Sequence, residues 1–166
     1  MLRKGHIGIA LIVYSFVAYY LISIGQIGLA IIGFFVMIPF AMIPDKDHLI
    51  PGMKHRGQSH SIIAAFIFGL ILITPLILLM VFTAVVIPQA ILLFIFGIAV
   101  LGFITHILGD SATKRGTYPF KPFSNRRLRL PVTIRAENAY ANIILWIFGW
   151  FFFVGSILAA LGLIFN

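Results

Sequence analysis

The chain alternates long apolar runs with short polar ones. A membrane-spanning helix needs about 20 predominantly apolar residues. Five stretches approach that length: residues 6–23, 27–43, 60–82, 89–109 and 139–165. The second is at the short end of the range. Residues 61–109 form a nearly continuous apolar run whose breaks are Pro75 and Pro88. A turn at Thr83–Pro88 leaves two helices of spanning length, with the third running to residue 82 or on to 86. Pro75 is then a kink inside the third helix, where membrane helices tolerate proline. The expected fold is all-α: one membrane-embedded domain over residues 1–166, a helical bundle of about five transmembrane helices. Polar loops fall at 44–59 and 110–138, and no internal repeat or low-complexity segment interrupts the pattern.

Composition narrows the class. Of 166 residues, 61% are hydrophobic and 10% charged, and the mean hydropathy is +1.12. A soluble domain carries roughly 25% charged residues, and a fold this small could not hide so much apolar surface from water. A water-soluble enzyme, a disordered tail and a coiled coil are excluded. The chain has no cysteine, so disulfides, thiolate zinc sites and cysteine nucleophiles are excluded too. The opening MLRKGHIGIALIVY has the outline of a signal peptide. Its apolar stretch is long, lacks an A-x-A site and leads directly into a second span, so it is expected to be retained. No lipidation motif is present.

The twelve basic residues are placed with a strong bias. Arg3 and Lys4 precede the first span, and Lys46, Lys54 and Arg56 lie between the second and third. Lys114, Arg115, Lys121, Arg126, Arg127, Arg129 and Arg135 lie between the fourth and fifth. With five spans these three segments share one side, while the connections at 23–26 and 83–88 carry no charge. The positive-inside rule then predicts a multi-pass protein of the inner, cytoplasmic membrane, with the N-terminus and both long loops in the cytoplasm and Asn166 outside.

Only four acids are present, Asp45, Asp47, Asp110 and Glu137, and every one of them and every histidine falls at the predicted cytoplasmic ends. Three segments carry the chemistry. Pro44–His48 reads P-D-K-D-H. Alternate carboxylates in an extended turn point the same way and can hold one or two cations, although a lone D-x-D is a weak signal more often explained by a solvated, capping turn. His48 is a further candidate. His55–Ser61 reads H-R-G-Q-S-H-S. It offers two imidazoles, common metal ligands, around a glycine, and Arg56 suits bidentate phosphate binding. Ser59 or His60 would open the third helix; the alternative for the basic residues is contact with lipid headgroups. His106–Asp110 reads H-I-L-G-D. The i, i+4 spacing puts both side chains on one helix face. Asp110 either ligates the same ion or orients His106, and the alternative is a capped helix end with a buried pair.

Together His6, Asp45, Asp47, His55, His60, His106 and Asp110 supply nitrogen and oxygen donors suited to Zn²⁺, Mn²⁺ or Fe²⁺. They exceed the needs of a single tetrahedral zinc, so the expectation is zinc, with two or three ions accommodated as readily as one. Such a centre activates water and polarises phosphoryl oxygens. Arg56 and the basic loop favour an anionic substrate, with Asp47 or Asp110 as base. Thr113 and Ser61 are neighbours able to hydrogen-bond ligands. Glu137 is either a further ligand or a complement to the positive end of the fifth helix, with Asn138 as that helix's cap.

In the loop 111–138, Tyr118, Phe120 and Phe123 suit an interfacial aromatic belt. Arg127 and Arg129 alternate with Leu128 and Leu130, one face basic and one apolar. The loop reads as an anchor to anionic lipid headgroups or as a lid that grips one over the metals. No nucleic-acid recognition motif accompanies the charge, and the sequence is silent on oligomeric state.

The ordered set of Gly5–His6, P-D-K-D-H, H-R-G-Q-S-H-S, H-I-L-G-D with Thr113, and R-L-R-L-P at Arg127–Pro131 resembles the YdjM-like family of inner-membrane metal-dependent hydrolases, also described as LexA-binding. The resemblance covers nearly the whole chain. That family is distantly similar to zinc-dependent phospholipase C and related zinc nucleases, which are helical and hold several zinc ions with His, Asp and Glu. The resemblance therefore implies a phosphoester substrate and ligand roles for the residues above. One departure is the short link Leu49–Lys54 between the D-x-D and H-R-G segments, which leaves little room for a substrate-binding insertion. The expected function is metal-dependent hydrolysis of a phosphate ester of a lipid, a lipid-linked compound or a small molecule. The alternative is a non-catalytic scaffold or regulatory protein with a structural metal and a basic partner-docking loop. A metal transporter would need polar groups at the midplane, and the span centres offer little beyond Ser, Thr, Tyr and Gly.

Overall fold

The computed structural model describes residues 1–49, 57–131 and 133–164, with the side chains of His48 and Leu49 outside that description. Among the described residues five α-helices follow one another: α1 (Arg3–Ser23), α2 (Ile27–Phe40), α3 (Ile62–Phe82), α4 (Gln89–Ser111) and α5 (Ala139–Ala160). Two short 3-10 segments, Ile43–Leu49 and Gln58–His60, lie between α2 and α3. The fold is an all-helical bundle, as expected. Among the described residues four helices, α1, α3, α4 and α5, are long and apolar enough to cross a membrane.

Several boundaries differ from the sequence expectation, each for a local reason. The second helix has 14 residues and stops at Phe40 rather than residue 43, giving about 21 Å at 1.5 Å per residue. The chain then tightens into the 3-10 segment, so P-D-K-D-H is not the extended turn expected. The third helix starts at Ile62, and its cap is Ser61 rather than Ser59 or His60: the Ser61 hydroxyl accepts from the Ala64 N–H. The third helix ends at Phe82, so it does not run on to 86. The first helix starts at Arg3, which puts His6 inside its first turn. The fifth stops at Ala160 instead of residue 165. Gly162, at φ +67°, closes it by donating its N–H to Ala159 while Leu163 donates to Leu158, the Schellman pattern that a left-handed glycine permits. Asn138 caps α5 as expected, accepting from the Ala141 N–H at 3.1 Å.

The helices are apolar on all sides, and packing rather than hydropathy decides which lie inside. α4 packs against α1, α2 and α3, and α1 against α2, α4 and α5. α5 and α3 form the outer walls: 6% and 17% of their most apolar windows are buried, against 50% for α1 and α4. Small residues bring the backbones together. A Cβ on Gly8 would collide with the Leu145 carbonyl, one on Gly149 with the Gly8 carbonyl, and one on Gly102 with the Met37 carbonyl. Tyr14, fully buried, ties α1 to α2 by donating its hydroxyl to the Ala30 carbonyl.

The described residues of the segment 112–138 fold over the same end of the bundle as the 3-10 segments. Thr113 pairs with Ile134 in a parallel bridge and Thr117 with Leu128 in an antiparallel one. The Ile62 N–H donates to the Pro119 carbonyl at 2.9 Å, which fixes this segment to the start of α3. Phe120 and Phe123 are exposed, and the Lys121 ammonium sits 5.0 Å from the centre of the Tyr118 ring.

Candidate metal centre

The donors are delivered by four elements at one end of the bundle. His6 comes from the first turn of α1, Asp45 from the Ile43–Leu49 segment, His60 from the turn before α3, and His106 and Asp110 from the last turns of α4. His6, His60, His106 and Asp110 are fully buried, and Asp45 keeps 28% of its side-chain surface.

The donor atoms converge. The Nε2 atoms of His60 and His106 are 3.2 Å apart. Asp45 Oδ1 is 3.4 Å from His106 Nε2 and 3.6 Å from His60 Nε2. Asp110 Oδ2 is 3.5 Å from His60 Nε2, and Asp110 Oδ1 is 3.6 Å from His6 Nε2. One atom from each of His6, Asp45, His106 and Asp110 falls within 4.8 Å of all the others. Ligands placed tetrahedrally at zinc–nitrogen distance stand about 3.3–3.4 Å apart, so the spacing matches a shared ion.

Hydrogen bonds behind the rings set which nitrogen faces inward. His106 Nδ1 lies 2.8 Å from the Ala41 carbonyl, an acceptor, so Nδ1 carries a proton and Nε2 is the nitrogen that faces the centre, where it can offer a lone pair to an ion. The Ser59 hydroxyl donates to Asp47 Oδ2 at 2.9 Å and accepts from His60 Nδ1 at 3.0 Å. His60 therefore also faces inward with a lone pair. Among the described residues, neither nitrogen of His6 has a hydrogen-bond partner although the ring is fully buried. The Met1 ammonium contacts Asp110 Oδ1 at 2.7 Å. Burial is the strongest influence on His60 and lowers its pKa below the ordinary 6.5, despite the opposing pull of Asp45. Burial pushes the Asp45 carboxyl up, but the hydrogen bonds that His106 and His60 give it when an Nε2 carries a proton outweigh that and hold it well below the ordinary carboxylate range. Apart from the Met1 ammonium at Asp110, the centre thus presents lone pairs and carboxylates to one another, a mutual repulsion that a bound divalent cation would relieve.

The other candidates sit as follows. Asp47 is buried on the Nδ1 side of His60. A 3-10 segment turns about 120° per residue, so Asp45 and Asp47, two apart, face different ways. Thr113 is buried and donates its hydroxyl to the Asp110 backbone carbonyl at 2.7 Å, bracing the end of α4. Ser61 caps α3. Glu137 is exposed and borders a cleft beside Lys114, Arg115 and Arg135. His55, Arg56 and the side chain of His48 lie outside the described residues.

Three supports carry no clear mark in the sequence. Ser59 reads there only as a helix start, although it neighbours His60. Gly109 lies between His106 and Asp110, and a Cβ there would stand 3.0 Å from His6 Nδ1. Asn142 of α5 is buried; it accepts from the Leu2 N–H at 3.0 Å and donates to the Ala136 and Asn138 carbonyls, which fixes the start of α1.

Comparison with known proteins agrees with the sequence motifs. No curated protein and no solved structure gives a match. The YdjM inner membrane protein family matches residues 1–165, and the chain belongs to that family.

Proposed function

We propose that the protein is a multi-pass inner-membrane hydrolase that holds a divalent metal, zinc first among the choices, and cleaves a phosphate ester of a lipid or lipid-linked substrate. The observation that carries this reading is the convergence of two further imidazoles and two carboxylates around a fully buried His6 whose ring nitrogens have no hydrogen-bond partner among the described residues. The bias of all twelve basic residues toward the three segments on one side of the sequence-predicted topology supports a cytoplasmic-facing site.

His6, Asp45, His60, His106 and Asp110 would hold the ion, which would lower the pKa of a water and polarise a phosphoryl oxygen. Asp47, through Ser59, keeps the His60 proton on Nδ1. Asp45 is the part-exposed member, so it is the ligand that an entering substrate would meet first. Arg56 keeps its sequence-based role as a phosphate ligand.

The near-complete burial of the centre favours a second reading, a structural ion in a regulatory membrane protein, because structural sites are closed and catalytic ones keep an open position. The exposure of Asp45 tips the balance to the first. Bound metal and cleavage of phosphate mono- and diesters, measured on purified wild type and Asp110→Ala, separate the two. Metal-dependent turnover that falls by about a hundredfold or more in the variant supports the hydrolase. Bound metal with no ester cleaved supports the structural ion.

A further inference from the structure

Beside the metal centre lies a second feature with its own chemistry. A cleft of about 660 Å³ opens between the end of α4 and the start of α5, lined by Met1, Lys114, Arg115, Arg135 and Glu137 among others. The fold builds it. The parallel bridge of Thr113 with Ile134, with Lys114 N–H donating to Ile134 and Ile134 N–H to Ala112, sets the Lys114–Arg115 and Arg135 backbones side by side. Three cationic residues and a single acidic one therefore line one concavity, a match for a multiply charged anion rather than a neutral or zwitterionic group. Arginine forks bind phosphate oxygens in pairs.

Depth and neighbourhood select the source of that anion. The Lys4 ammonium stands 5.5 Å from the centre of the Trp146 ring on the α1–α5 surface, the basic and aromatic pairing that marks the headgroup level. The cleft lies at the same end of the bundle. It also shares a wall with the metal centre, since Met1 lines the cleft and contacts Asp110.

We infer that this cleft is an anion subsite in which Lys114, Arg115 and Arg135 hold the phosphate group of a membrane lipid beside the metal centre. Its service to a substrate rests on the hydrolase reading; the binding itself does not.

The test uses the full-length protein in nanodiscs or detergent. Binding is measured to phosphatidylcholine vesicles doped with phosphatidic acid, to vesicles doped with the same charge as phosphatidylserine, and to inorganic phosphate. Metal affinity is measured in parallel. The expected result is preference for phosphatidic acid over phosphatidylserine and weaker binding of inorganic phosphate. Binding of phosphatidic acid and of inorganic phosphate both fall by about tenfold or more in Arg115→Gln/Arg135→Gln, with metal affinity unchanged. Equal binding of both anionic lipids, or binding unaltered in the double variant, overturns the subsite. Stronger binding of inorganic phosphate than of lipid assigns the cleft to a soluble anion and overturns the lipid source. A protein that binds phosphatidic acid as expected but no metal refutes the hydrolase reading and leaves the subsite standing.

Discussion

The imidazole of His6 lies flat against that of His106, with ring centroids 3.8 Å apart and planes within 8° of parallel. One ring comes from the first turn of α1 and the other from the end of α4. Stacking holds both against rotation, and the bond from His106 Nδ1 to Ala41 fixes the direction of the pair. Replacing either histidine with alanine is expected to lower metal affinity by more than the roughly 10–100-fold typical of supporting residues. Calorimetric titration of the purified variants with zinc reads the loss.

Gly109 makes room for that stack. Alanine in a helix interior is ordinarily favoured over glycine by about 1 kcal/mol. Here the added methyl would stand 3.0 Å from His6 Nδ1, tighter than a settled packing contact, and the stacked His106 ring limits where His6 can move. Gly109→Ala is expected to weaken metal binding and to destabilise the protein by about 1–3 kcal/mol. Metal titration and thermal unfolding in detergent check both parts.

The Asp47–Ser59–His60 chain gives a prediction of a different kind. Ser59→Ala or Asp47→Ala removes the partner that keeps the His60 proton on Nδ1, and each is expected to cost about 10–100-fold in metal affinity without emptying the centre. Ser59→Thr keeps a hydroxyl at that position and should retain most of the affinity. Equal affinity in wild type and Ser59→Ala would show that the chain plays no part.

Acid should act on the metal-free protein in one direction. His60 is held below its ordinary 6.5 by burial, so the unfolded chain takes up a proton there that the folded one resists. Stability is present above that window and falls as pH drops through it. Asp45 is held below its ordinary 3.8, so its contribution is present above that value and lost on further acidification. The unfolding midpoint of chelator-treated protein is expected to fall steadily from about pH 7 to about pH 5, and added zinc to raise it most at the upper end, where protons compete least for the imidazoles.

Much of the fold and the site is legible in the amino-acid sequence. Helix number and the Thr83–Pro88 turn follow from counting apolar residues between polar breaks, and the charge bias gathers His6, Asp45, His60, His106 and Asp110 at one end. Local geometry is not legible in the same way. D-x-D reads alike in an extended turn and in a 3-10 segment, and only the latter sends Asp47 behind His60. Ser59 and His60 read as the starts for α3, and the cap geometry that settles instead on Ser61 depends on backbone angles. The place where α5 ends turns on one glycine, Gly162, inside a run that hydropathy alone reads as continuous. Gly109 looks like spacing between two functional residues, because the ring it makes room for sits on α1, remote along the chain and adjacent only after folding.

The central claim is that the converging side chains hold a cation. Metal content of the detergent-purified protein, measured by mass spectrometry after equilibration with zinc and removal of excess, tests it most directly. Wild type is expected to retain at least one equivalent of zinc per chain, and His6→Ala/His106→Ala to retain none while still folding as a helical protein by circular dichroism. A folded wild type that retains no divalent metal, or a double variant that retains as much as wild type, would contradict it.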